Sequence, residues 1–202
     1  MTQKILVFTD LHYVAKGNGI GHLDPDARFR EGLAHAQAQF PDAERLVIAG
    51  DLAHHGSHAE YARLRDALDE CPMPVHLMIG NHDTRGPFRE TFPGAPVTPE
   101  GYVQQIVDTG DTRLILLDTV DEGHHGGLLC DARLSWLDAA LVGAEGRRTI
   151  VFMHHPPMSV GFAAMDAIGL TNRTEFLALL KHRASTCQIV SGHLHRTVSG
   201  AA

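Results

Sequence analysis

Short apolar runs alternating with longer stretches of helical periodicity organise the 202-residue chain. The runs at 4–9, 45–49, 75–79, 113–117, 149–153 and 187–191 are rich in β-branched residues and bounded by turn formers, and each predicts a strand. They are apolar almost throughout, as strands covered on both faces are. Between them, 26–40, 57–70, 131–142 and 172–182 carry apolar residues three and four apart, such as Tyr61, Leu64 and Leu68, and predict helices packed by one face. Strand and helix alternate, which predicts an α/β fold with at least one partly parallel sheet. The stretch 84–104 breaks the pattern with Pro87, Pro93, Pro96 and Pro99, and predicts a long loop carrying one short helix near 88–91. With no internal repeat or linker, this length predicts a single domain over 1–202.

Five of the six strands end in a polar cluster. Asp10-Leu11-His12 comes after the first, Gly50-Asp51 after the second, Gly80-Asn81-His82-Asp83 after the third, His154-His155-Pro156 after the fifth and Gly192-His193-Leu194-His195 after the sixth. The loops leaving parallel strands converge at the carboxyl edge of a sheet, where ligands bind in open α/β folds. Asp10, His12, Asp51, Asn81, His154, His193 and His195 are therefore predicted to ring one crevice. The Asp-x-His and His-x-His pairs point both members the same way if the chain stays extended. Carboxylate, imidazole and amide oxygen suit Fe, Mn, Zn or Co rather than a metal selected by thiolates. Seven donors exceed one tetrahedral ion and suit two divalent ions sharing a carboxylate. Such a pair, about 3.5 to 4 Å apart, generates hydroxide near neutral pH and clamps the attacking and leaving oxygens of phosphoryl transfer.

Composition narrows the partners. The net charge of −7 offers no basic stripe for a phosphate backbone, which argues against a dedicated nucleic-acid partner. Cys71, Cys130 and Cys187 are widely spaced without a CxxC pair, predicting reduced, buried thiols and a cytoplasmic setting. No apolar stretch approaches the ~18 residues that span a bilayer, so no membrane association is expected.

The five blocks D-x-H, G-D, G-N-H-D, H and G-H-x-H, in that order between Asp10 and His195, resemble the calcineurin-like metallophosphoesterases. His154-His155-Pro156-Pro157, Leu117-Asp118-Thr119, Gly126-Gly127-Leu128 and Leu134-Ser135-Trp136-Leu137 are most similar to its branch of class III cyclic nucleotide phosphodiesterases and glycerophosphodiesterases. The resemblance implies a sandwich of two mixed β-sheets flanked by helices. It also implies a shortened C-terminal portion, because members usually continue past G-H-x-H, often with a segment used to form homo-oligomers. By motif, Asp10, His12 and His195 would hold one ion, Asn81, His154 and His193 the other, and Asp51 would bridge them. The spacing H-x-P selects His154 over His155. His82 would lie beside the substrate phosphate, stabilise its charge and protonate the leaving oxygen, with Asp83 orienting it or its neighbours through a hydrogen bond. The implied activity is hydrolysis of a small phosphodiester, a cyclic nucleotide or a glycerophosphodiester, by in-line attack of hydroxide. A phosphomonoesterase, a nucleotide pyrophosphohydrolase and a non-catalytic metal-binding scaffold are the alternatives. The loops 17–24, 84–104 and 121–127 are expected to shape the pocket, and His54, His55, His124 and His125 to be solvated loop residues or to line that pocket.

Overall fold

The computed structural model describes residues 3–144, 146–183 and 187–200. The chain divides into two compact units, Met1–Ala95 and Pro96–Ala202. In the first unit, β1 (Ile5–Phe8), β2 (Arg45–Ala49) and β3 (Val75–Met78) form a wholly parallel sheet in the order β1-β2-β3. The helices α1 (Pro25–Gln39) and α2 (His58–Leu68) make its two crossovers, and α3 (Arg85–Thr91) follows β3. Helix α1 starts where the Asp24 side chain accepts a hydrogen bond from the Asp26 backbone N–H and Pro25 supplies a preset φ at the first position. Phe29 and Leu33, four residues apart, then bury one face. Helix α2 begins with the Glu60 carboxylate reaching back to accept from the Ser57 N–H at 3.0 Å.

In the second unit, β4 (Gln105–Thr109) pairs antiparallel with β5 (Thr112–Leu117), and β5, β6 (Arg148–Met153) and β7 (Cys187–Ser191) run parallel in the order β4-β5-β6-β7. The helices are α4 (Asp131–Val142), α5 (Ala163–Asp166) and α6 (Arg173–Arg183). Leu137 of α4 and Phe176 of α6 meet Ile115, Leu117 and Val151 of the sheet in a fully buried core. The protein is thus an α/β fold with two β-sheets and helices packed against them.

All six predicted strands and all four predicted long helices form, but β4 and α5 went unpredicted. Gln105-Ile106-Val107-Asp108-Thr109 is too polar for a doubly covered strand, and Ile106 stands 40% exposed on this sheet edge. Its readable signal is the two-residue turn Gly110-Asp111, with Gly110 at φ 58°, which closes a hairpin onto β5. Burial on both faces holds for β2 but not for the edge strand β1, where Val7 is 41% exposed. The expectation of buried cysteines is corrected as well: all three are half-buried, and the Cys130 sulfur sits 3.2 Å from the Tyr102 hydroxyl.

Candidate active site

In the first unit, the segment leaving β1 zips beside the one leaving β2. Asp10 N donates to Gly50 O at 3.1 Å, His12 N to Asp51 O at 2.9 Å and Tyr13 N to Leu52 O at 2.9 Å. The two segments thereby carry Asp10, His12 and Asp51 to the same sheet edge, where one donor atom from each lies within 4.8 Å of the others. The third strand contributes Asn81 and His82. The His82 backbone N–H donates to Asp51 Oδ1 at 3.0 Å, while Asp51 Oδ2 faces His12 Nε2 at 3.6 Å. Asn81 Oδ1 is buried and has no hydrogen-bond partner among the described residues.

The backbone at these positions is unusual. Among the described residues, those other than glycine with positive φ are Asp10 (56°), His12 (47°), Asp51 (50°), His193 (73°) and His195 (51°). All five belong to the seven residues singled out by their chemistry. Left-handed backbone costs a non-glycine residue roughly 1 to 3 kcal/mol, and that strain concentrates at functional sites. The finding also corrects the expected geometry, because the Asp-x-His and His-x-His segments do not continue as extended strands. Each turns sharply, so the side chains are aimed by left-handed kinks rather than by strand alternation.

Of the two roles expected of it, Asp83 hydrogen-bonds the surroundings of His82 rather than His82 itself. It is buried, and its carboxylate accepts from Leu52 N at 3.0 Å, Ala53 N at 3.0 Å, Gly80 N at 2.8 Å and the Tyr61 hydroxyl at 3.0 Å. It braces the backbone after β2 and β3, the segments that carry Asp51 and Asn81. Burial, and then the Asp51 charge, push its carboxyl up to about 6, against the three backbone N–H groups that favour the anion. Asp83→Asn would turn an amide toward donors already in place, leaving buried N–H groups unsatisfied. It is expected to lower the unfolding free energy by about 2 to 4 kcal/mol, read by chemical denaturation of metal-free protein.

His54, expected in solvent or on a pocket wall, is part of the cluster. Its carbonyl accepts from His82 Nδ1 at 2.8 Å, its ring stacks on His82 with centroids 5.4 Å apart, and its Nδ1 lies 3.5 Å from His12 Nδ1. Burial, then the neighbouring His55 and His82 rings, hold its imidazole below the ordinary range. Because a carbonyl only accepts, His82 carries its proton on Nδ1 and turns Nε2 away from His54.

In the second unit, His154 follows β6 and His193 follows β7, tied by Gly192 N donating to His154 O at 3.1 Å. Both side chains are buried, with ring centroids 5.2 Å apart, whereas His195 is exposed. His155 is also buried. Its Nε2 lies 3.1 Å from the His125 carbonyl, which only accepts, so Nε2 carries the proton and Nδ1 accepts from the Thr119 hydroxyl at 2.8 Å. Both ring nitrogens of His155 are therefore committed to protein partners.

Gly127 closes this arrangement. A Cβ there would stand 2.5 Å from His155 Cγ and Nδ1, far inside van der Waals contact. Gly127→Ala is expected to cost about 1 to 3 kcal/mol of stability and, by shifting the ring that packs on His154 and His193, to weaken divalent-metal binding. Thermal melting and metal titration of the purified variant check both effects. The Thr119 and Gly127 partnerships were not foreseen, although both residues lie in the stretches that carried the family resemblance. Nothing in the His54-His55 doublet marks out His54.

The profile of the calcineurin-like phosphoesterase family matches residues 3–197. A probable cyclic nucleotide phosphodiesterase of Rhodopseudomonas palustris is 38% identical over 98% of this chain and 73% of its own length. The glycerophosphodiester phosphodiesterase of Enterobacter lignolyticus is 31% identical over 93% of this chain and 69% of its own. Purple acid phosphatase from yellow lupin superposes with a TM-score of 0.70 at 15% identity, over 96% of this chain and 38% of that one, a likeness of fold. Matched in profile along almost its whole length, and in sequence by relatives above 30% identity, the chain belongs to the calcineurin-like phosphoesterases, a family of metal-dependent hydrolases.

Proposed function

We propose that this protein hydrolyses a small phosphodiester, a cyclic nucleotide or a glycerophosphodiester, with two divalent metal ions per chain. The observation that carries the reading is the backbone: every non-glycine residue in the left-handed region, among those described, is a member of the seven-residue donor set. The fit to metal rests on this and on the buried Asn81 Oδ1, an amide oxygen that the described protein does not satisfy. Asp10, His12 and His195 would hold one ion, Asn81, His154 and His193 the other, with Asp51 shared. The choice of His154 over His155 is supported by the two committed nitrogens of His155. Fe, Mn, Zn and Co all match this donor chemistry.

When bound, the ions supply hydroxide near neutral pH and neutralise the charge that develops on the phosphate. The chain's own residues do the rest. His82, held at Nδ1 by the His54 carbonyl, directs Nε2 to the phosphate, where its protonated form stabilises charge and donates to the departing oxygen. Asp83 keeps the two loops that carry Asp51 and Asn81 in register.

The diester preference is supported by the relatives named cyclic nucleotide and glycerophosphodiester phosphodiesterases. A cytoplasmic setting is supported by three free cysteines, and no described helix is long and apolar enough to cross a membrane. The test is turnover of bis(p-nitrophenyl) phosphate against p-nitrophenyl phosphate in Mn(II). The reading predicts faster diester hydrolysis; a preference for the monoester would replace it with a phosphomonoesterase.

A further inference from the structure

We propose that His54 is a positioning residue for the metal site: it fixes the tautomer and the ring orientation of His12 by accepting a hydrogen bond at Nδ1. The inference rests on the assignment of His12 as a metal ligand. His12 turns Nε2 toward Asp51 Oδ2, 3.6 Å away, and Nδ1 toward His54 Nδ1, 3.5 Å away. A neutral imidazole that gives the Nε2 lone pair to a cation must carry its proton on Nδ1. Two imidazole nitrogens face each other across that contact, so one must donate and the other accept. His12 Nδ1 is the donor, which makes His54 Nδ1 the acceptor and puts the His54 proton on Nε2.

The rest of the cluster holds His54 in that pose. Its carbonyl takes the His82 Nδ1 proton, its ring lies nearly parallel to His82 at 20°, and its own ring meets His12 edge-on at 5.4 Å. His12 in turn meets His82 edge-on at 4.7 Å. His54 therefore touches both a ligand and the proposed acid, through different atoms: an acceptor nitrogen for His12 and a ring face for His82. The partner of a ligating histidine's second nitrogen fixes its orientation and raises its basicity, and its loss costs about 10- to 100-fold in metal affinity.

Because the two contacts use different atoms, substitutions separate them. His54→Asn offers its amide oxygen where Nδ1 stood but has no ring, and His54→Phe keeps a ring without an acceptor. Mn(II) affinity of metal-stripped protein, by calorimetric titration, should fall about ten-fold or more in His54→Ala and in His54→Phe. It should stay within about three-fold of the parent in His54→Asn, whose kcat, not KM, should fall with the lost stacking on His82. Equal Mn(II) affinity in the parent, alanine and phenylalanine proteins would overturn the proposal, and so would a loss in the asparagine variant equal to that in alanine. His12→Ala separates the underlying assumption: if it binds Mn(II) like the parent, the ligand assignment fails; if it loses binding while His54→Ala does not, only the role of His54 fails.

Discussion

Asp51→Asn is expected to abolish the activity almost completely while leaving the fold in place. Asn keeps an oxygen to accept from the His82 N–H and tolerates the left-handed backbone at φ 50°, so neither the 3.0 Å hydrogen bond nor the turn is sacrificed. What it removes is the negative charge that Asp51 would supply to the two cations of the proposed site. Metal-centred stabilisation of the transition state is worth several kcal/mol, so turnover should fall on the order of 10³-fold or more, and metal content should drop below that of the parent. Elemental analysis of the variant, beside its circular dichroism and diester turnover, checks all three statements. Full metal occupancy with full activity would remove Asp51 from the centre.

His82→Ala is expected to separate metal binding from catalysis. Its side chain reaches the His54 carbonyl through Nδ1 and leaves the backbone bond to Asp51 untouched, because that bond comes from the main-chain N–H. Metal content at saturating metal should therefore match the parent. The lost proton donor and lost charge stabilisation at the phosphate should lower kcat on the order of 10²- to 10⁴-fold, with KM changed far less. The loss should shrink for a diester with a nitrophenolate leaving group, which departs without a proton, relative to one with an alkoxide leaving group. An unchanged kcat on both substrates would sink the assignment of His82.

The candidate donors stood out in the sequence because they are residue types that few other roles demand together at strand ends. Asp10, Asp51 and His193 could be picked out from order and spacing alone, but their backbone could not. Strand alternation offered one way for a D-x-H segment to aim two side chains, and the protein uses left-handed kinks instead. Asp83 was legible as a residue that orients its surroundings but not in its partners, since its four donors come from backbone and tyrosine positions brought together only by the fold. His54 was harder to read: a histidine beside another in a loop fits solvent or a pocket wall equally, and its contacts with His12 and His82 span 42 and 28 positions of sequence.

The His154-His155 doublet shows what tertiary structure adds. Motif spacing prefers the first, and the second has both ring nitrogens engaged: its proton goes to the His125 carbonyl and its lone pair to Thr119. Strand β4 fell short of recognition through its polar residues, although the Gly110-Asp111 turn beside it carried the information. Helix α5, at four residues, is shorter than any periodicity can register.

A dinuclear, metal-dependent diesterase stands or falls on metal content per chain, measured together with hydrolysis of bis(p-nitrophenyl) phosphate on protein purified without chelator and again after adding Mn(II). The expected result is about two divalent ions per chain, with diester turnover that EDTA removes and Mn(II) restores. A chain that binds no divalent ion, or that cleaves the diester equally well in EDTA, would refute the metal centre.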